Sequence, residues 1–183
     1  MPTHMKPSFS FRLRATVIVL CTAGLLAGCG NNKDGDDFAA KPFEIDRSTS
    51  CSLDGMLLAD YPGPKAQIHY DRQTAPDFFC DTMEMFNTVL NAEQARRITA
   101  IYVQDMGKAD WTKPVGHWID AKTAFYVLGS KQHGSMGPTI GSFASAADAE
   151  KFTHTYGGKV LRFDEVTADQ VNLDGGALHD HSM

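Results

Sequence analysis

Ala66-Gln67-Ile68-His69-Tyr70 alternates apolar and polar residues as a half-buried strand does, and Ala124-Phe125-Tyr126-Val127-Leu128 is its counterpart in the second half. Each is preceded by a short segment opening with glycine, Gly55-Met56-Leu57-Leu58-Ala59-Asp60 and Gly116-His117-Trp118-Ile119-Asp120-Ala121. Each is followed by a helical pattern that starts at a phenylalanine. Residues 79–86 offer Asp81 or Thr82 as N-cap with Glu84 in the first turn. Residues 143–152 offer Ser145 as N-cap with Asp148 three positions on, close to a capping box. Apolar segments at 98–103 and 159–163 close the two halves, and Gly157-Gly158 stops the second helix. Each half therefore reads β-β-α-β. A unit this small buries too little surface to stand alone, so the sequence predicts an α+β protein of two packed ββαβ units from an internal duplication.

The flanks read differently. Lys6, Arg12 and Arg14 precede an apolar run, residues 15–26, too short to span a bilayer and ending in Leu26-Ala27-Gly28-Cys29. A cysteine directly after Leu-Ala-Gly is the lipobox of bacterial lipoproteins. Cleavage before Cys29 and acylation of its thiol would tether the body outside the cytoplasm by acyl chains. The expected organisation is a signal peptide at 1–28, a lipid-anchored flexible linker at 29–45, a first unit at 46–108, a second at 109–168 and a disordered tail at 169–183.

Charge excludes one class of partner. The leader holds three of the 17 Lys and Arg and none of the 22 Asp and Glu, so the remaining 155 residues carry a net charge of −8. Nucleic acid rewards clustered basic residues and is not expected as a partner. Common enzyme signatures are missing too: there is no G-x-S-x-G, H-E-x-x-H, P-loop or G-x-G-x-x-G.

Cysteine and methionine remain. With Cys21 in the leader and Cys29 lipidated, Cys51 and Cys80 are the two thiols of the body. An oxidising compartment favours a disulfide between them, and the rival reading has at least one of them held as a thiolate by a metal. Cys51 and Met56 stand five apart in a turn-forming segment. Thiolate and thioether are soft donors that favour Cu(I), and a thioether has no proton to lose. Met83 and Met85, beside Cys80, cannot both face a core at helical spacing. Met136, in Gly134-Ser135-Met136-Gly137-Pro138, falls on a loop and is the least core-like methionine. His133 stands three residues before it, and Met106 follows the third strand. His179, His181 and Met183 form a metal-seeking tail.

Residues 54–67, Asp-Gly-Met-Leu-Leu-Ala-Asp-Tyr-Pro-Gly-Pro-Lys-Ala-Gln, resemble the signature of the NosL family. Matches follow in order at Phe79-Cys80, residues 102–107, 111–114, 116–121, 126–129, Met136-Gly137, Phe143-Ala144 and 157–163. The resemblance implies a periplasmic Cu(I) metallochaperone, not an enzyme. Its client would be nitrous oxide reductase during assembly of the copper centres, with a membrane copper-supply complex as a second partner. The implied fold is two ββαβ units related to part of organomercurial lyase. The sulfur ligands implied are Cys51, Met56 and Met136, with His133, Met106 or a second protomer of a homodimer for a remaining donor. Many members carry a second cysteine where this chain has Asp54, so a one-thiolate, thioether-assisted site is expected. Two other readings stand beside this one: a scaffolding lipoprotein with a Cys51–Cys80 disulfide, and a thiol-dependent lyase suggested by the fold analogy alone.

Overall fold

Strand β1, Ala66–Tyr70, lies between β2, Asp77–Phe79, and β3, Ile98–Gln104, and pairs antiparallel with both. The computed structural model describes residues 41–173. The expected signal peptide, Cys29, most of the expected linker, and His179, His181 and Met183 lie outside the described residues. β3 pairs on its other side with β4, Trp118–Asp120, giving a four-stranded sheet of order β2-β1-β3-β4. A second sheet has β5, Phe125–Leu128, between β8, Gly141–Phe143, and β9, Lys159–Arg162. Between β5 and β8 a small hairpin joins β6, His133–Gly134, to β7, Gly137–Pro138. Helix α1, Thr82–Leu90, separates β2 from β3, and α2, Ala146–Tyr156, separates β8 from β9. The strand-strand-helix-strand order and the strand neighbours are therefore the same in the two halves, β2-β1-β3 and β8-β5-β9.

The expected first strand of each unit is corrected. Residues 55–60 form no strand; Leu58–Asp60 is a 3-10 turn. The segment around Trp118 is a strand, but it extends the first sheet. The strands that fill the β-β-α-β pattern are β2 and β8, which are three residues each and too short to show a periodicity. The boundary between units at 108 is thus crossed by β4, and the halves share one core. Ala66, Ile68, Met85, Phe86 and Ile101 pack with Tyr126, Ile140 and Leu161 in a single cluster.

Alternation in β1 is as read: Ala66, Ile68 and Tyr70 enter this core, and Gln67 and His69 face the other way. Both faces are nevertheless buried, because residues 41–46 cross the sheet as a strap. Phe43 donates its N–H to Gln67 Oε1 (2.8 Å) and accepts from Gln67 Nε2 (3.0 Å), and its ring packs against His69. The linker therefore gives way to folded chain before residue 45. β5 is apolar throughout because it too has two covered faces: Tyr126 joins the shared core and Val127 a second cluster under α2, with Phe143 and Met106.

Both helices begin where expected. Asp81 caps α1 by accepting from Met83 N–H (2.8 Å), and Ser145 caps α2 by accepting from Asp148 N–H (3.2 Å). Gly157, at φ +75°, ends α2. Met85 is fully buried, and Met83 also packs, half-buried, against the shared core, contrary to the expectation that only one would. The expected tail starts too early. Ala168–Val171 is a 3-10 turn, Val171 is buried, and its carbonyl accepts from Asn87 Nδ2 (3.0 Å) on α1. No described helix is long and apolar enough to cross a membrane.

Candidate metal centre

The loop that begins at Cys51 closes on itself. Cys51 N–H donates to the Met56 carbonyl (2.8 Å) and Gly55 N–H to the Cys51 carbonyl (2.9 Å). Gly55 sits at φ +80°, where a side chain would be strained. Asp54 accepts from Met56 N–H (2.9 Å), the local turn that aspartate favours. Ser52 fastens the loop to β2, donating its N–H to the Phe78 carbonyl (2.7 Å) and accepting Phe78 N–H at its hydroxyl (3.1 Å). Cys51 and Met56 are thereby held side by side at the base of the loop. Cys51 is buried, and Met56, half-buried, packs against the cluster of Cys51, Leu58 and Cys80.

Cys80 comes from the junction of β2 and α1. Its thiol and that of Cys51 are both free and both buried. Cys51 Sγ, an Asp54 carboxylate oxygen and Cys80 Sγ lie within 4.8 Å of one another. The Cys80 sulfur lies 3.8 Å from the Met56 carbonyl oxygen, so it touches the backbone of the loop it faces. The disulfide of the scaffolding reading is not formed, and the sequence-derived donor set omitted Cys80. Twenty-nine positions separate the two cysteines, so no spacing rule joins them. The signal was the place of Cys80 at the mouth of a capped helix, next to Asp81.

The electrostatics favour a thiolate on Cys51. Its pKa is pulled down to about 6, chiefly by the hydrogen bond from Cys80, against the opposing effect of burial. Leu53 N–H, 3.4 Å from the sulfur, adds to this. The Cys80 pKa is raised, first by its bond to Cys51, then by burial. Glu84 on α1 is buried and pushed up to about 9, by burial first and by Cys51 next. Its carboxyl lies 3.3 Å from Cys51 Sγ. The two groups compete for one proton, with Cys51 pushed down and Glu84 pushed up. Lys65 is also buried. Burial lowers it to about 8, while Cys80 and then Asp81, Glu84 and Cys51 hold it up. Its ammonium donates to the carbonyls of Pro62 and Cys80, both at 2.9 Å.

Met136 occupies the turn of the β6–β7 hairpin and is 59% exposed, in keeping with its reading as a loop residue. The hairpin is anchored to Asp81, the neighbour of Cys80. Asp81 accepts the Thr139 hydroxyl and the Ser135 N–H, and a Cβ at Gly134 would collide with its carboxylate. His133, at the start of the hairpin, is exposed, and its carbonyl accepts from Trp111 Nε1 (3.0 Å). Met106 goes elsewhere. It is buried in the second cluster with Val127 and Phe143, apart from the cluster of Cys51 and Cys80. Its side chain is used in packing, as methionine often is.

Two thiols, a thioether packed against them and a carboxylate at the rim make a donor set for a soft cation. The chain matches the NosL family model over residues 42–171. It is 36% identical over 172 residues to the copper-binding lipoprotein NosL of Stutzerimonas stutzeri, covering 91% of this chain and 89% of that one. The copper-binding lipoprotein NosL of Achromobacter cycloclastes is 36% identical over 155 residues, covering 82% of this chain and 79% of its own. The crystal structure of the copper chaperone NosL from Shewanella denitrificans superposes with a TM-score of 0.68 at 41% identity, over 71% of this chain and 98% of that one. With a family match across almost the whole described body and relatives this similar over most of their length, the chain belongs to the NosL family.

Proposed function

We propose that this protein is a Cu(I) carrier, held by lipid on Cys29 at the periplasmic side of a bacterial membrane, that supplies copper to nitrous oxide reductase during assembly of its copper centres. The observation that carries the reading is the Cys51–Met56 loop. It sets a low-pKa sulfur beside a thioether in a dry setting, under a rim that solvent reaches. Cu(I) accepts few, soft ligands and makes no demand for oxygen donors. Cys51 supplies the thiolate and Met56 a thioether. Met136 is the donor nearest to solvent, on a hairpin fixed to the residue after Cys80. The relatives named as copper-binding lipoproteins and a copper chaperone support the cargo and the anchor.

A carrier has to release what it binds. Ligand-by-ligand exchange needs an acceptor to reach the metal before the donor lets go. An exposed thioether at Met136 and a half-buried one at Met56 give that access, while the buried sulfur of Cys51 holds the ion against loss. Leu53 and Leu57, exposed on either side of the loop, provide apolar surface for transient docking. Anaerobic titration with Cu(I) against a chromogenic chelator tests the binding step. One Cu(I) per chain withheld from the chelator, and its loss in Cys51→Ser, is the expected result. Mixing the loaded protein with copper-free nitrous oxide reductase tests delivery. Copper that stays on the carrier would remove the client from the proposal and leave the binding intact.

A further inference from the structure

We propose that Cys80 is the second thiolate of the copper site, pairing with Cys51 in a buried dithiolate position closed at its mouth by Asp54. This rests on the reading of the chain as a Cu(I) carrier and changes its donor set, from one thiolate with thioethers to two thiolates.

Three observations carry it. The first is geometric: the three donor atoms of Cys51, Asp54 and Cys80 already lie within 4.8 Å of one another without any ion to gather them. Both sulfurs are fixed by backbone contacts, Cys51 through Leu53 N–H and Cys80 through the Met56 carbonyl, so little ordering is left for binding to supply. The second is the depth of the pair. Cys80 is completely buried and Cys51 nearly so, whereas Asp54 and Met136 are exposed. The donors thus form a gradient from thiolates inside to carboxylate and thioether outside. The third is Lys65. A Cu(I) ion with two thiolates carries one net negative charge, which is costly in a buried setting unless matched. The Lys65 ammonium is buried behind Cys80, and its hydrogen bonds go to the neutral carbonyls of Pro62 and Cys80 itself. It is a fixed positive charge beside the place where the dithiolate complex would be negative.

The exchange balances without redox chemistry. Copper enters as Cu(I) and remains Cu(I). Bonds to the delivering ligands break as bonds to Cys51 Sγ and Cys80 Sγ form, and the Cys80 thiol proton leaves to solvent. Cys51 is common to the inner pair and to the outer set with Met56 and Met136. Release then means that Cys80 lets go first while Cys51 and the methionines pass the ion outward.

The test uses the purified protein, Cys80→Ala and Cys51→Ser. Cys80→Ala is expected to keep one Cu(I) per chain but to lose more affinity than the roughly 10–100-fold that follows loss of an outer-shell partner. X-ray absorption at the copper edge should show one fewer sulfur neighbour in that variant than in wild type. Unchanged affinity and unchanged sulfur count in a folded Cys80→Ala would overturn the proposal. Should that variant fail to fold, wild type still decides. At a denaturant concentration where both cysteines of the metal-free protein are alkylated, Cu(I) should protect both, read by peptide mass. Protection of Cys51 with free alkylation of Cys80 would overturn it. Failure of wild type itself to withhold Cu(I) from the chelator would instead sink the carrier reading.

Discussion

Asp81, the N-cap of α1, accepts the hydroxyl of Thr139, 58 positions away at the foot of the hairpin that carries Met136. One buried carboxylate therefore starts the helix of the first half and fixes a loop of the second half beside Cys80. Asp81→Ala removes the cap and strands the Thr139 hydroxyl, which should cost about 2–4 kcal/mol in urea unfolding. Asp81→Asn keeps an acceptor for Met83 N–H and should recover most of the cap. A loss below about 0.5 kcal/mol in Asp81→Ala would mean that neither bond contributes as the geometry implies.

Gly134 tests the same junction from the other side. Its backbone passes so close over the Asp81 carboxylate that no Cβ fits. Gly134→Ala should force the hairpin away and cost about 1–3 kcal/mol, in the range of overpacked cores. Met136→Ala, two residues on, should leave stability unchanged because the side chain is exposed. Its expected effect is on Cu(I) affinity alone, roughly tenfold or about 1.4 kcal/mol. Chelator competition together with thermal unfolding of the two variants separates anchoring from ligation. Equal affinity for wild type and Met136→Ala would remove Met136 from the donor set.

In the metal-free protein, Cys51 should titrate far below an ordinary thiol. Its pKa is lowered to about 6 from 9.0, so thiolate absorbance at 240 nm should rise as pH increases through about 6. The shift is downward because the anion, not the thiol, receives the hydrogen bonds of Cys80 and Leu53. The step should vanish in Cys51→Ser. Cys80, pushed the other way, should contribute nothing in that range. A midpoint near 9 for both cysteines would show that the sulfur pair does not share a proton as described.

The parts of the fold that were legible in the sequence are those with length or a chemical marker. β1, α1, β3, β5, α2 and β9 each had a periodicity or a cap, and Asp81, Ser145 and Gly157 act as read. β2 and β8, three residues each, had neither. The partner of β4 was also out of reach, since pairing across the two halves is decided by the shared core and not by local pattern. Within the candidate site, the nearness of Cys51 and Met56 was legible because one loop holds both. Cys80 was not, because β2 and the start of α1 bring it there from a distant position. Met106 misled for the converse reason. A methionine after a strand looks free in a sequence, and here it fills the space beneath α2.

The strap at residues 41–46 gives the last prediction. Gln67 binds Phe43 through both its amide oxygen and its amide nitrogen, and the same oxygen lies 3.0 Å from His69 Nε2. Gln67 is fully buried; its contact with His69 is made away from water, and its two bonds to Phe43 lie at the edge of the solvent. Gln67→Leu keeps most of the volume and removes every one of them. The strap would then lose its attachment to β1, and His69 its polar neighbour. The expected cost is about 1–3 kcal/mol, the range for buried groups left unpaired. The Phe43 amide should be protected from hydrogen exchange in wild type and lose that protection in Gln67→Leu, with amides of β3 unaffected. Because the strap leads toward Cys29, its attachment decides where the proposed lipid tether would end and the folded body begin. Rapid exchange at Phe43 in wild type would return residues 41–45 to the linker.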